Sequence, residues 1–170
     1  WHMGGGRDVT DAPRFRDYGF DEAWGTWESP EPHPKLGVNF PPWDKRTQPG
    51  QVPRHERTAF MVDQALDFLR RHRGQPCYVQ LWPDDTHTPF RPSPESKAKY
   101  QAGEDDAGRR EFCAVLAEYD RQMGRLLDGL REVGVDGNTL LLFTGDNGPA
   151  PSYDRERTAG LRGQKLSLYE

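Results

Sequence analysis

The chain has 170 residues with a formal net charge of -4, of which 34% are hydrophobic and 29% charged. That is enough for one domain with a core but not comfortably for two. With no basic excess and no apolar run near the roughly 20 residues a bilayer span demands, neither nucleic acid nor a membrane is expected as a partner. A mean hydropathy of -0.96 is low for a self-sufficient domain with well-patterned elements, so an incomplete core is expected.

The first fifty or so residues carry Gly4-Gly5-Gly6, Pro30, Pro32, Pro34 and Pro41-Pro42, which interrupt every candidate period. A long irregular excursion results, of the kind that serves as a functional lid or stays disordered. Its aromatics, Phe15, Tyr18, Phe20, Trp24, Trp27, Phe40 and Trp43, argue for packing against something. From about Glu56 the pattern changes. Val62, Ala65, Leu66 and Leu69 fall at i, i+3, i+4, i+7 and predict an amphipathic helix ended by Arg73-Gly74. Pro76 opens a short strand over 77–82, which stops at Pro83 and gives way to the polar string Asp84-Asp85-Thr86-His87-Thr88-Pro89-Phe90. Asp84 and Asp85 suit turn and strand-cap roles. A surface loop then runs to Gly108, with Pro92-Ser93-Pro94-Glu95 as a helix start within it.

Phe112, Val115, Leu116, Tyr119, Met123, Leu126, Leu127, Leu130 and Val133 hold a helical period, predicting a helix over 110–133 capped by Gly134. Asn138 leads into a second strand over 139–144. Strand, long helix, strand reads as a βαβ crossover, with the strands parallel and their carboxyl ends on one sheet edge. His87 would then share that edge with Asp146 and Asn147. The two cysteines, Cys77 and Cys113, have no metal-binding or disulfide spacing and read as buried small hydrophobes.

At the end of the second strand, Gly145-Asp146-Asn147-Gly148-Pro149 supports two readings. It is good β-turn chemistry. It is also a carboxylate beside an amide carbonyl, both hard oxygen ligands suited to calcium or magnesium, at the strand edge where α/β proteins place their sites.

Four stretches together carry a resemblance: Trp1-His2-Met3-Gly4, Thr86-His87-Thr88-Pro89-Phe90, Phe143-Thr144-Gly145-Asp146-Asn147-Gly148 and Gly160-Leu161-Arg162-Gly163-Gln164-Lys165. In this order and spacing they resemble the sulfatases of the alkaline phosphatase superfamily. Gly19-Phe20-Asp21-Glu22, Gly124-Arg125-Leu126-Leu127 and the closing Leu166-Ser167-Leu168-Tyr169-Glu170 extend the match along nearly the whole chain. The resemblance implies an α/β fold with helices on both faces of a mixed, largely parallel sheet, incomplete here, so that residues 1–170 form part of a catalytic domain. It implies one calcium ion, with magnesium the weaker alternative, and Asp146 and Asn147 as metal ligands. His2, in the family's Gly-Lys-Trp-His-Leu-Gly motif with Met3 for leucine, would contact nucleophile and sulfate. His87 would face the leaving-group oxygen, and Lys165 would reach sulfate and nucleophile.

The nucleophile implied is a formylglycine made from cysteine or serine by a formylglycine-generating enzyme. Its Cys/Ser-x-Pro-x-Arg segment, the acidic metal ligands of the first strand and the motif lysine preceding Trp1 are not among these residues, so the chain is expected to be an internal fragment, inactive alone. The substrate implied is a small-molecule or glycan sulfate ester, and the location periplasmic or secreted, although no signal segment is visible. A phosphate or phosphonate ester hydrolase of the same superfamily and a non-catalytic binding fragment are the alternatives. Sulfate monoester cleavage fits the residue types. The transition state spreads negative charge that a cation, a lysine and imidazole donors can meet, and a sugar alkoxide leaves only with a proton, which histidine supplies near neutrality.

Overall fold

The computed structural model describes residues 12–26, 31–36, 50–100, 107–150, 160 and 162–168. The chain divides into two compact units, Trp1–Gly137 and Asn138–Glu170.

Three α-helices dominate the first unit: α1 (Arg57–Arg71), α2 (Pro94–Lys99) and α3 (Ala107–Val133). Helix α1 continues directly from a 3-10 turn, Arg54–Glu56. Arg70 and Arg71 in its last turn face the negative end of the helix dipole. Helix α2 starts where Ser93 accepts a 3.1 Å hydrogen bond from the Ser96 N–H, with Pro94 in the first turn. Helix α3 ends on Gly134, whose φ of 77° lets its N–H and that of Val135 close back on the Leu130 carbonyl.

Both α1 and α2 pack on α3. Val62 and Leu66 of α1 and Leu126 of α3 form the dry centre, with Leu81 and Met123 against it. Gly129 sets how closely the two long helices approach, because a Cβ there would stand 2.4 Å from Leu66 Cδ1. Arg125 braces the same contact from outside, donating to the Ala59 carbonyl at 3.3 Å and pairing with Asp63.

The helices expected from periodicity are present, and α3 begins three residues earlier than expected, at Ala107. Its apolar stripe is wider than the core it meets: Val115, Leu126, Leu130 and Val133 are buried, but Leu116 and Leu127 are exposed. The sheet of the expected α/β architecture is not found among the described residues. Segments 77–82 and 139–144 form no ladder there, and the isolated bridge, Gly25 with Pro32, lies elsewhere. A strand exists only through a neighbour's hydrogen bonds, and neither segment has such a neighbour among the described residues.

Exposed apolar side chains follow from this: Leu140 is 84%, Leu142 80% and Phe143 69% exposed, and Tyr78 and Trp82 are exposed too. Cys77, expected to be buried, is likewise exposed, and Cys113 on α3 is half-buried. In the amino-terminal stretch, Phe20 stacks on Tyr78 with ring centroids 6.3 Å apart, the packing expected of these aromatics. Trp27, Phe40 and Trp43 lie outside the described residues. No helix among the described residues is long and apolar enough to cross a membrane.

Candidate active site

His87 sits in the first unit, on the polar loop after the 77–82 segment. The His87 N–H donates to the Asp84 carbonyl at 3.1 Å, making the turn expected of this string. Arg54, entering from the 3-10 turn before α1, donates through one Nη2 to two carbonyls of that turn, Asp84 at 2.7 Å and His87 at 2.8 Å. The Asp84 carboxylate in turn lies 3.5 Å from Arg54 Nη2 and 3.4 Å from Arg57 Nη1. Burial presses the Arg54 guanidinium pKa downward while Asp84 beside it works the other way.

Asp85 points inward, 5% exposed, and accepts a hydrogen bond from the Thr58 hydroxyl on α1. Burial pushes its carboxyl pKa up to about 6, aided by the Asp84 charge and opposed by the Thr58 hydrogen bond. Beyond the histidine, Phe90 is buried against Phe112 of α3 at 5.4 Å between centroids. The buried Glu118 of α3 accepts the Ser93 N–H at 3.0 Å. The loop is thus held at both ends by helices while His87 itself stays exposed.

His87 Nδ1 lies 2.7 Å from the Thr88 carbonyl oxygen. A carbonyl only accepts, so Nδ1–H is the donor in this contact.

Asp146, Asn147 and Lys165 belong to the second unit. The Asn147 side-chain amide donates to the Asp146 carboxylate, and Thr144 Oγ1 donates to the Gly145 carbonyl at 3.1 Å. Lys165 N–H donates to the Pro149 carbonyl at 2.9 Å, fastening the Gln164-Lys165 backbone beside the Gly145 to Pro149 turn. Gly148 eases this approach, since a Cβ there would stand 3.1 Å from the Gln164 Cα and push that backbone back by a few tenths of an ångström. The two motifs, joined through residues sixteen positions apart, are therefore one local structure. His2 lies outside the described residues.

Asp146 and Asn147 offer adjacent hard oxygens on a turn, chemically right for calcium. Two residues fill only part of the six to eight oxygens that ion takes. Among the described residues no cluster of three or more His, Cys, Asp or Glu side chains could hold a metal. The pair fits as part of a ligand set.

Arg54, Thr58 and Glu118 received no role from the sequence, and Asp85 only a turn or strand-cap one. Their partners are 25 to 33 positions away, beyond any local period. The one available signal was Arg54 and Arg57 a helical turn apart, with paired acids downstream.

The chain belongs to the sulfatase family, whose model matches residues 1–169. It is similar to N-acetylgalactosamine-6-sulfatase of Homo sapiens, at 29% identity over 88% of this chain and 29% of that protein. The same enzyme of Sus scrofa is 28% identical over the same shares. N-acetylgalactosamine-6-O-sulfatase of Bacteroides thetaiotaomicron is 30% identical over 65% of this chain and 22% of its own length. The chain thus spans less than a third of the length of these curated relatives. No solved structure matches it.

Proposed function

We propose that this chain is part of a calcium-dependent sulfuric ester hydrolase releasing sulfate from sulfated carbohydrate. The observation that carries the reading is the sulfatase match over residues 1–169, which includes all four motif stretches, alongside relatives named for a sulfated amino sugar. The expected α/β sheet belongs to this proposal as well.

In this reading Asp146 and Asn147 supply part of the oxygen set for calcium. The ion, when bound, would neutralise charge on the sulfate and on a formylglycine nucleophile. Lys165, backbone-clamped beside those ligands, brings an ammonium to the sulfate oxygens. His87 gives its Nε2 proton to the bridging ester oxygen as the sulfur–oxygen bond breaks and its electron pair stays on that oxygen. The sulfuryl group passes to the nucleophile. His2 is the proposed base that later helps release sulfate.

The test is to assay the complete protein for sulfate release from an N-acetylgalactosamine sulfate, beside the corresponding phosphate and phosphonate esters. A preference for the phosphorus esters would reassign it within the superfamily, and no turnover of any ester would favour a binding protein. Metal analysis checks the ligand assignment separately. Asp146→Ala should lose stoichiometric calcium and keep its fold by circular dichroism, and undiminished calcium would remove Asp146 from the ligand set.

A further inference from the structure

We propose that Arg54 is a positioning residue for His87: its guanidinium ties the carbonyls of Asp84 and His87 together and so fixes the direction in which the histidine ring leaves the loop. The role described for His87 rests on the functional reading above. The tie between the two residues rests on the structure.

A loop histidine that must deliver a proton has to be held to within a fraction of an ångström. His87 is exposed, with its Nδ1 2.7 Å from the Thr88 carbonyl oxygen, so fixing the backbone it springs from fixes where the ring can reach. One Arg54 nitrogen accomplishes this, with the 2.7 Å and 2.8 Å bonds spanning both ends of the Asp84 to His87 turn. The donor is itself immobilised. Its side chain is 12% exposed and lies against the Asp84 carboxylate, which Arg57 also pairs with.

Below this layer, the Thr58 hydroxyl bonded to Asp85 attaches the same turn to α1. Arg54 lies one turn before the adjacent Arg57 and Thr58 at the α1 entrance, so the start of that helix serves as a platform for the loop. Arginine suits the position where lysine does not, because a planar fork can serve carbonyls and a carboxylate together while an ammonium on a flexible stem holds no fixed direction. Arg54 touches neither substrate nor reacting atoms in this scheme. Its effect passes through the histidine.

The experiment is a double-mutant cycle of Arg54→Gln and His87→Ala in the complete protein, measured as kcat/KM on a sugar sulfate and on a nitrophenyl sulfate. Positioning predicts that Arg54→Gln alone costs roughly 30-fold on the sugar ester, where the proton is needed, and about 3-fold or less on the nitrophenyl ester. It also predicts that adding Arg54→Gln to His87→Ala costs almost nothing more, a strongly non-additive cycle. Arg54→Lys should recover part of the loss.

Additive losses, or equal losses on both esters beside an asymmetric His87→Ala, would overturn the proposal and leave Arg54 a purely structural residue. A non-additive cycle in which His87→Ala is itself symmetric would uphold the tie and remove the proton-donor role of His87. Where Arg54→Gln does not fold, judged by circular dichroism, Arg54→Lys takes its place in the cycle with the same criteria.

Discussion

Helices α1 and α3 and the 139–144 segment are built from comparable apolar material, yet among these only the helices bury it. Val62 and Leu66 in α1 are essentially inaccessible, whereas Leu140 and Leu142 stand almost fully in solvent. A helix closes its backbone hydrogen bonds within itself and needs a partner only for one stripe. A strand borrows both its hydrogen bonds and its burial from neighbours. The contrast extends to roles, for His87, Asp146 and Asn147, proposed to do chemistry, follow the carboxyl ends of the extended segments, whereas the buried apolar contacts of the core centre on α1 and α3. Stability and reactivity should accordingly respond to different substitutions.

The largest effect is expected on the reactive side. His87→Ala should lower kcat/KM for a sugar sulfate by about 10²- to 10⁴-fold and for a nitrophenyl sulfate far less, since demand for a proton rises with leaving-group pKa. Thermal unfolding should barely change, because the ring is exposed. A large drop in stability would mean that chemistry and fold are not separated as described.

On the helical side Leu66→Ala should cost about 2–5 kcal/mol in denaturant unfolding, since the side chain is 3% exposed at the centre of the α1–α3 contact. Gly129→Ala should cost about 1–3 kcal/mol through overpacking against Leu66. The pair should be non-additive, because shortening residue 66 makes room for the new methyl. Additive losses would show that the helices do not meet at that point.

Asp85 gives a pH signature to the boundary between the two regions. Its folded pKa of about 6 lies above the ordinary 3.8, so between those values the folded protein binds more protons than the unfolded chain. Stability should therefore be highest below about pH 4 on account of this group, fall as pH rises through 4 to 6 by on the order of 3 kcal/mol, and stay level above that. Asp85→Asn should flatten that segment of the profile, measured as unfolding free energy against pH. An unchanged slope would mean that Asp85 is solvated.

The smallest effect on folding is expected in the exposed stretch. In residues 1–170 purified alone, Leu142→Ser should change unfolding free energy by less than about 0.5 kcal/mol while slowing aggregation, because an exposed apolar segment is a template for intermolecular pairing. A loss of several kcal/mol would show Leu142 to be packed.

Legibility followed the same division. Helix α1 could be read from Val62, Ala65 and Leu66 because a helix declares itself within a few turns, and Gly134 announced the end of α3 through the left-handed conformation it adopts. The 139–144 segment carries the composition of a buried strand, but composition states a preference and says nothing of which neighbour meets it. Cys77 was misplaced for that reason. At the site, motif order named His87, Asp146, Asn147 and Lys165 as candidates, and the structure bonds the Lys165 backbone to Pro149, just after the Asp146-Asn147 turn. The Arg54 tie and the Asp85 to Thr58 bond were invisible, since side chains 27 to 33 positions apart meet only once the chain has folded.

The Lys165 to Pro149 backbone bond has a consequence for how such a sequence can diverge. Because Gly148 and Gln164 are in contact and the next residues are bonded, the two motifs are stapled at their bases. The entropy of closing a loop grows only with the logarithm of its length, about 0.6 kcal/mol for each doubling. The chain between Pro149 and Gln164 can therefore change in length across descendants at small cost while the Lys165 backbone stays bonded beside the Asp146-Asn147 turn.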